Sequence, residues 1–176
     1  FDREALTEGP RLANPSLFPN TVTNAAASRV SIHFKIKGLN STVSTGMCAS
    51  LDAIDYGLKA IKFHNKTMIL AGGVEDLNEE LFLGFYQAGL LKDFALGEGA
   101  GVVILEDLES AKSRKAKIYA EILSAASTYS NQKSTGMAEA MGLALKRFGG
   151  GCSDIDYINL NGHSSLTADT EETQAM

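Results

Sequence analysis

The sequence has no tryptophan, and among its 176 residues there are only two cysteines, three histidines and three prolines. Cys48 and Cys152 stand far apart in unlike surroundings, which gives neither a disulfide framework nor a thiolate metal site. His33, His64 and His163 are scattered without the spacing of zinc ligands, so no metal is expected. Positive charge is also scarce: 16 Lys and Arg face 21 Asp and Glu, a net charge of -5, which argues against a nucleic-acid partner held by phosphate contacts. The nearest basic run, Lys112-Ser113-Arg114-Lys115-Ala116-Lys117, follows Glu106, Asp107 and Glu109 and reads as a solvated helix end. No apolar stretch is long enough to span a bilayer, and Phe1-Asp2-Arg3-Glu4 lacks the charged-then-apolar pattern of a leader. A soluble, cytoplasmic protein with no membrane partner is the expectation.

What remains is a chain with 44% hydrophobic and 21% charged residues, enough for one globular domain or a large piece of one. Apolar runs alternate with amphipathic segments, as in α/β proteins. Residues 50–64 predict a helix, Thr67 to Ala71 a buried strand, and Gly72-Gly73 its stop. Val102 to Leu105 predict a second strand, and residues 106–114 a helix. Ile118 to Leu123 predict a strand, Met137 to Phe148 a helix closed by Gly149-Gly150-Gly151, and Ile155 to Asn159 another strand. Asp169, with Glu172 three residues on, predicts the capped start of a last helix. No tandem repeat or low-complexity linker breaks this order.

Gly97-Glu98-Gly99-Ala100-Gly101 invites a phosphate-binding reading, yet a phosphate cradle needs its glycines to open a helix. A strand follows them here. Close backbone approach at the strand entrance is the better account.

Two segments carry the chemistry. Gly38-Leu39-Asn40-Ser41-Thr42-Val43-Ser44-Thr45-Gly46-Met47-Cys48-Ala49-Ser50 has the build of a nucleophile turn, with a strand-like run leading into Leu51, Ile54, Leu58 and Ile61 at helical spacing. A thiol at such a helix start meets unpaired N–H groups and the positive end of the dipole, which favour the thiolate. The other segment, Asn159-Leu160-Asn161-Gly162-His163-Ser164-Ser165, is a polar loop after a strand.

These segments resemble the β-ketoacyl-acyl-carrier-protein synthases. The run from Phe18 to Ile32, the Gly38-to-Ser50 turn, Ala71-Gly72-Gly73-Val74-Glu75, Gly97 to Glu106, and Ile155 to Asn159 follow one another in that family's order and span most of the chain. The resemblance implies an α/β thiolase-like fold, layered α/β/α/β/α, of which this chain covers only part of the two-half domain. Residues 1–106 would then be the end of the first half with the crossover, and 107–176 the start of the second. The link between Tyr86 and Gly97 is shorter than the family's. A partial half would expose apolar sheet surface.

A working ketosynthase needs a thiolate to take the acyl group and imidazoles for decarboxylation and for the enolate and oxyanion. The family cysteine closes a Gly-Pro-Asn-x-x-Val-x-Thr-Ala-Cys pattern. Laid without gaps from Gly38, that pattern sets Met47 at the cysteine, and counting back from Ala71-Gly72-Gly73 gives the same register. A thioether has no ionisable proton and accepts acyl groups poorly. Cys48 stands one residue off, about 100° away on a helix, and is a candidate nucleophile only if the turn shifts to present it; otherwise it packs as a small apolar residue. The family's Asn-Ala-His-Gly-Thr-Ser-Thr loop matches Asn159 to Ser165 and leaves Asn161 in the histidine's place. An asparagine amide donates hydrogen bonds but cannot act as a base near neutral pH. His163, two residues on, is read as a loop residue before it is read as a replacement.

With both groups replaced, the resemblance implies a non-condensing partner of an active ketosynthase, like the chain-length factors of type II polyketide systems. Members that lose only the cysteine can survive as malonyl decarboxylases, a subclass this chain fits less well. Its partners would be a ketosynthase subunit, identical or different, and an acyl carrier protein; no bound cofactor is expected, since the acyl chain arrives on the carrier's phosphopantetheine. The strand from Thr67 to Ala71 would be the dimer edge, and Met47, Phe82 and Phe85 would stop the acyl tunnel. An active β-ketoacyl synthase using Cys48, and a structural or binding fragment without acyl chemistry, are the alternatives.

Overall fold

The computed structural model describes residues 2–92, 95–131, 133–162 and 165–176, and divides into two compact units, Phe1–Ala49 and Ser50–Met176.

In the first unit, helix α1 (Asp2–Thr7) is followed by a 3₁₀ turn, Pro15–Asn20. Asn14 caps that turn by accepting from the Ser16 backbone N–H at 3.0 Å. Helix α2 (Ala25–His33) follows, and Arg29 donates back to the Asn20 side chain at 2.7 Å. Lys35, at φ 55, turns the chain out of α2, and the Ile36 N–H returns to the Ser31 carbonyl at 2.8 Å.

The second unit is built on helix α3 (Ala49–His64), strand β1 (Met68–Glu75), helix α4 (Glu79–Gln87) and strand β2 (Gly99–Glu106). β1 and β2 pair antiparallel, with Ile69 opposite Leu105, Ala71 opposite Val103 and Gly73 opposite Gly101. Side chains alternate along a strand, so Ile69, Ala71 and Gly73 share one face. Against that face lies α3. A Cβ on Gly57 would come 2.8 Å from Leu105 Cδ1 and 3.5 Å from Ile69 Cγ2, and one on Gly73 would strike the Ser50 hydroxyl. Ala60 on α3 and Ala71 on β1 are among the buried residues, so small side chains let helix and sheet approach closely. The opposite face is left open: Leu70, Val74, Val102 and Ile104 are 41%, 59%, 62% and 60% exposed. Apolar runs such as Val102-Val103-Ile104-Leu105 belong to strands covered on both faces, and no described element covers this one.

Asn78 caps α4 by accepting from the Leu81 N–H at 2.8 Å. Asp107 does the same for the short helix α5 (Leu108–Ser113), accepting from the Ser110 N–H at 3.1 Å. Arg114 then folds back on the last residue of β2: its Nη2 and Nε donate to the two Glu106 carboxylate oxygens at 2.7 and 2.9 Å. That guanidinium holds the Glu106 carboxyl below its ordinary range, aided by the Ser110 hydroxyl and opposed by desolvation. Helix α6 (Lys133–Phe148) ends at Gly149, whose φ of +85 suits glycine and whose N–H returns to the Leu145 carbonyl. A 3₁₀ turn follows at Cys152–Asp154, and helix α7 (Leu166–Ala175) is the last element.

Four expectations change. Gly72-Gly73 does not stop β1, which continues to Glu75, because the two glycines serve close approach: a Cβ on Gly72 would strike the Gly101 carbonyl oxygen. Gly99 and Gly101 likewise lie inside β2 instead of in a turn before it. Residues 41–45, 118–123 and 155–159 form no ladder among the described residues, since a strand needs a neighbour to satisfy its N–H and C=O groups. Finally, α7 begins at Leu166, so Asp169 sits in its first turn and caps nothing.

Two outcomes test this packing. Gly72→Ala meets backbone atoms that cannot rotate away, and should cost about 1–3 kcal/mol in a denaturant titration. Gly142→Ala, in α6 with open space at its Cα, should be neutral or gain up to about 1 kcal/mol. The Glu106–Arg114 pair sets a pH dependence. With the folded carboxyl depressed, its contribution is complete above the unfolded value of about 4.3 and disappears as pH falls through the lower folded value. The stability gap between the parent and Glu106→Gln should therefore narrow as denaturation is repeated from about pH 5 downward.

Candidate functional site

The first site belongs to the first unit. Asn40 anchors its approach: the side-chain amide donates to the Ser31 hydroxyl at 2.9 Å, tying the residues after Gly38 to α2. Gly46 then takes φ +78, a left-handed conformation that a residue with a Cβ adopts at a cost. Gly46–Cys48 is a 3₁₀ turn closed by the Ala49 N–H on the Gly46 carbonyl, and α3 starts at Ala49. With three residues per turn, successive side chains leave about 120° apart, so Met47 and Cys48 address different directions. Both are on the surface, Met47 at 75% exposure.

The second site belongs to the second unit. Residues 155–162 are exposed and carry neither helix nor strand, and Gly162 takes φ +57. Glu172, on α7, accepts from the Asn161 backbone N–H at 2.8 Å and from the Gly162 N–H at 3.2 Å. His163 lies outside the described residues. Sequence reasoning took Glu172 for half of a helix cap and missed this contact. Its spacing from the Asn161-Gly162 turn was the available signal, since a carboxylate in the second turn of α7 can reach back to the loop that precedes it.

Phe82 and Phe85 lie three residues apart on α4. Phe82 stacks on Tyr86 with ring centroids 6.4 Å apart and planes 9° from parallel, while Phe85 is half-buried. Among the described residues no three of His, Cys, Asp and Glu gather as a metal site, and no helix is long and apolar enough to cross a membrane.

The first motif thus forms a 3₁₀ turn that leads into α3, and the second an exposed segment whose Asn161 and Gly162 amides bond to Glu172. Residues 2–111 match the β-ketoacyl synthase N-terminal domain, and residues 119–176 match the C-terminal domain of the same enzymes. The chain belongs to the β-ketoacyl synthase family. That family works in fatty acid and polyketide synthesis, and its fold is thiolase-like.

The 3-oxoacyl-[acyl-carrier-protein] synthase 2 of Rhizobium meliloti is 34% identical over 196 residues, covering 96% of this chain and 46% of that protein. A solved ishigamide ketosynthase/chain length factor superposes with a TM-score of 0.87 at 26% identity, over 99% of this chain and 48% of its own. A ketosynthase bound to the hexaketide, in complex with its type II polyketide acyl-carrier protein, gives 0.85 at 27% identity, over 98% of this chain and 50% of that one. The chain thus spans about half the length of the curated relatives it matches.

Proposed function

We propose that this ketosynthase-family chain is a non-condensing subunit that pairs with an active ketosynthase and shapes its acyl tunnel. The observation that carries the reading is Met47 at the family's cysteine position. Acyl transfer requires a sulfur that can shed a proton and end as a neutral thioester. A thioether attacking the same carbonyl would become a sulfonium and return the acyl group. Asn161 at the histidine position supports the reading by different chemistry. Its amide can donate a hydrogen bond to a carbonyl oxygen but holds no transferable proton near neutral pH. With no nucleophile and no imidazole at these positions, what the subunit offers an acyl chain is shape.

The partners follow from the same reading. A ketosynthase subunit would supply the cysteine, and an acyl carrier protein would deliver the chain on phosphopantetheine. A pair of this kind is named in the ishigamide ketosynthase/chain length factor, and a carrier complex in the type II polyketide ketosynthase. A second reading has one observation in its favour: Cys48 is exposed at the entrance to α3, so a thiol stands one residue from the expected place.

Acylation separates the two. The protein incubated with hexanoyl-loaded acyl carrier protein should show no added acyl mass on the peptide carrying Met47 and Cys48, and Cys48→Ala should leave the turnover of the assembled complex within about twofold. A hexanoyl thioester on Cys48, with turnover lost in Cys48→Ala, would overturn the proposal in favour of an active synthase. The tunnel role has its own measurement. Met47→Ala removes a large side chain, and the complex should shift toward longer products at similar total turnover; an unchanged product distribution excludes Met47 as a tunnel stop.

A further inference from the structure

The Asn161-Gly162 turn is gripped by one side chain. Each oxygen of the Glu172 carboxylate takes one of two consecutive backbone N–H groups, Asn161 at 2.8 Å and Gly162 at 3.2 Å. Consecutive backbone N–H groups that converge on one anion form the kind of concavity that elsewhere receives phosphates and carboxylates. Here the anion is supplied by the chain itself. Bonds from N–H to an ionised carboxylate are about twice as strong as neutral ones, and two of them on adjacent residues remove the main freedom of a turn. On the same helix the Thr170 and Thr173 hydroxyls donate to the Leu166 and Asp169 carbonyls at 2.6 and 2.7 Å.

We propose that Glu172 is the positioning residue of the second site: by clamping the Asn161 and Gly162 amides it sets the backbone direction from which the Asn161 side chain departs. A side chain leaves its Cα at an angle dictated by the backbone N and C atoms, so holding the N–H of Asn161 aims its amide without touching it. The inference rests on the reading of Asn161 as a site residue. The clamp itself does not depend on whether the subunit condenses.

Glu172→Ala and Glu172→Gln test it in the full chain, each alone and combined with Asn161→His, whose introduced imidazole serves as a magnetic-resonance reporter. Amide exchange at Asn161 and Gly162 should rise about tenfold in Glu172→Ala and less in Glu172→Gln, which keeps one acceptor oxygen, while α6 stays protected. The introduced imidazole should give one sharp ring resonance with Glu172 present and a split or broadened one in the Ala background. Unchanged exchange at both amides overturns the proposal. So does an equal acceleration along α6 and α7, or a reporter resonance that stays single, since a merely structural carboxylate would give those results. Where Glu172→Ala fails to fold, the Gln variant decides by the same readouts. A hexanoyl adduct on Cys48 would sink the functional reading alone and leave these resonance outcomes unmoved, so the two failures are distinguishable.

Discussion

Much of the second unit depends on how closely α3 can lie on the β1–β2 pair. Helix and sheet meet where side chains are small or missing: Gly57 over Leu105 and Ile69, Ser50 over Gly73, with Ala60 and Ala71 buried. Such contacts gain dispersion only when surfaces interlock, and each added methyl there displaces a neighbour. The glycines of β1 serve the same end on the strand side, where Gly72 crosses the Gly101 backbone too closely for any Cβ.

The parts of the fold that local chemistry controls were legible in the sequence. The apolar spacing of Leu51, Ile54, Leu58 and Ile61 gave α3 to within a residue of its observed start, and Gly149 marked the end of α6. Elements that depend on distant partners were not. Ile118 to Leu123 and Ile155 to Asn159 have strand composition but no ladder among the described residues, because pairing is decided by a neighbour that a period of two cannot name. Gly72-Gly73 misled for a related reason. Two glycines look the same in sequence whether they break a strand or admit a helix against it, and only Ser50 lying on Gly73 separates the cases. At the second site the Asp169–Glu172 spacing was visible, but the local rule for a cap took precedence over the longer reach of Glu172 to Asn161.

The two candidate positions differ in what their replacements remove. On the proposed reading, methionine for cysteine would keep a sulfur and add bulk, removing covalent chemistry while apolar volume grows. Asparagine for histidine would keep a polar donor of similar reach, removing proton transfer while hydrogen bonding remains. The backbone at both positions is held by neighbours: Gly46 takes a left-handed φ before Met47, Asn40 ties the approach to α2, and Glu172 grips the turn at Asn161.

That contrast between reactive groups and their supports bears on why a chain would keep such a scaffold. Two charge-assisted bonds, one to Asn161 and one to Gly162, fix this turn, and ordering a turn costs backbone entropy whether or not catalysis follows. If the position only filled space, a looser turn would do as well. On the proposed reading, a clamp kept where the imidazole is gone suits a surface whose shape matters to something lying against it, and the apolar side chain of Met47 suits the same use. Shape without nucleophile or base is then the smallest set of properties that would account for both positions.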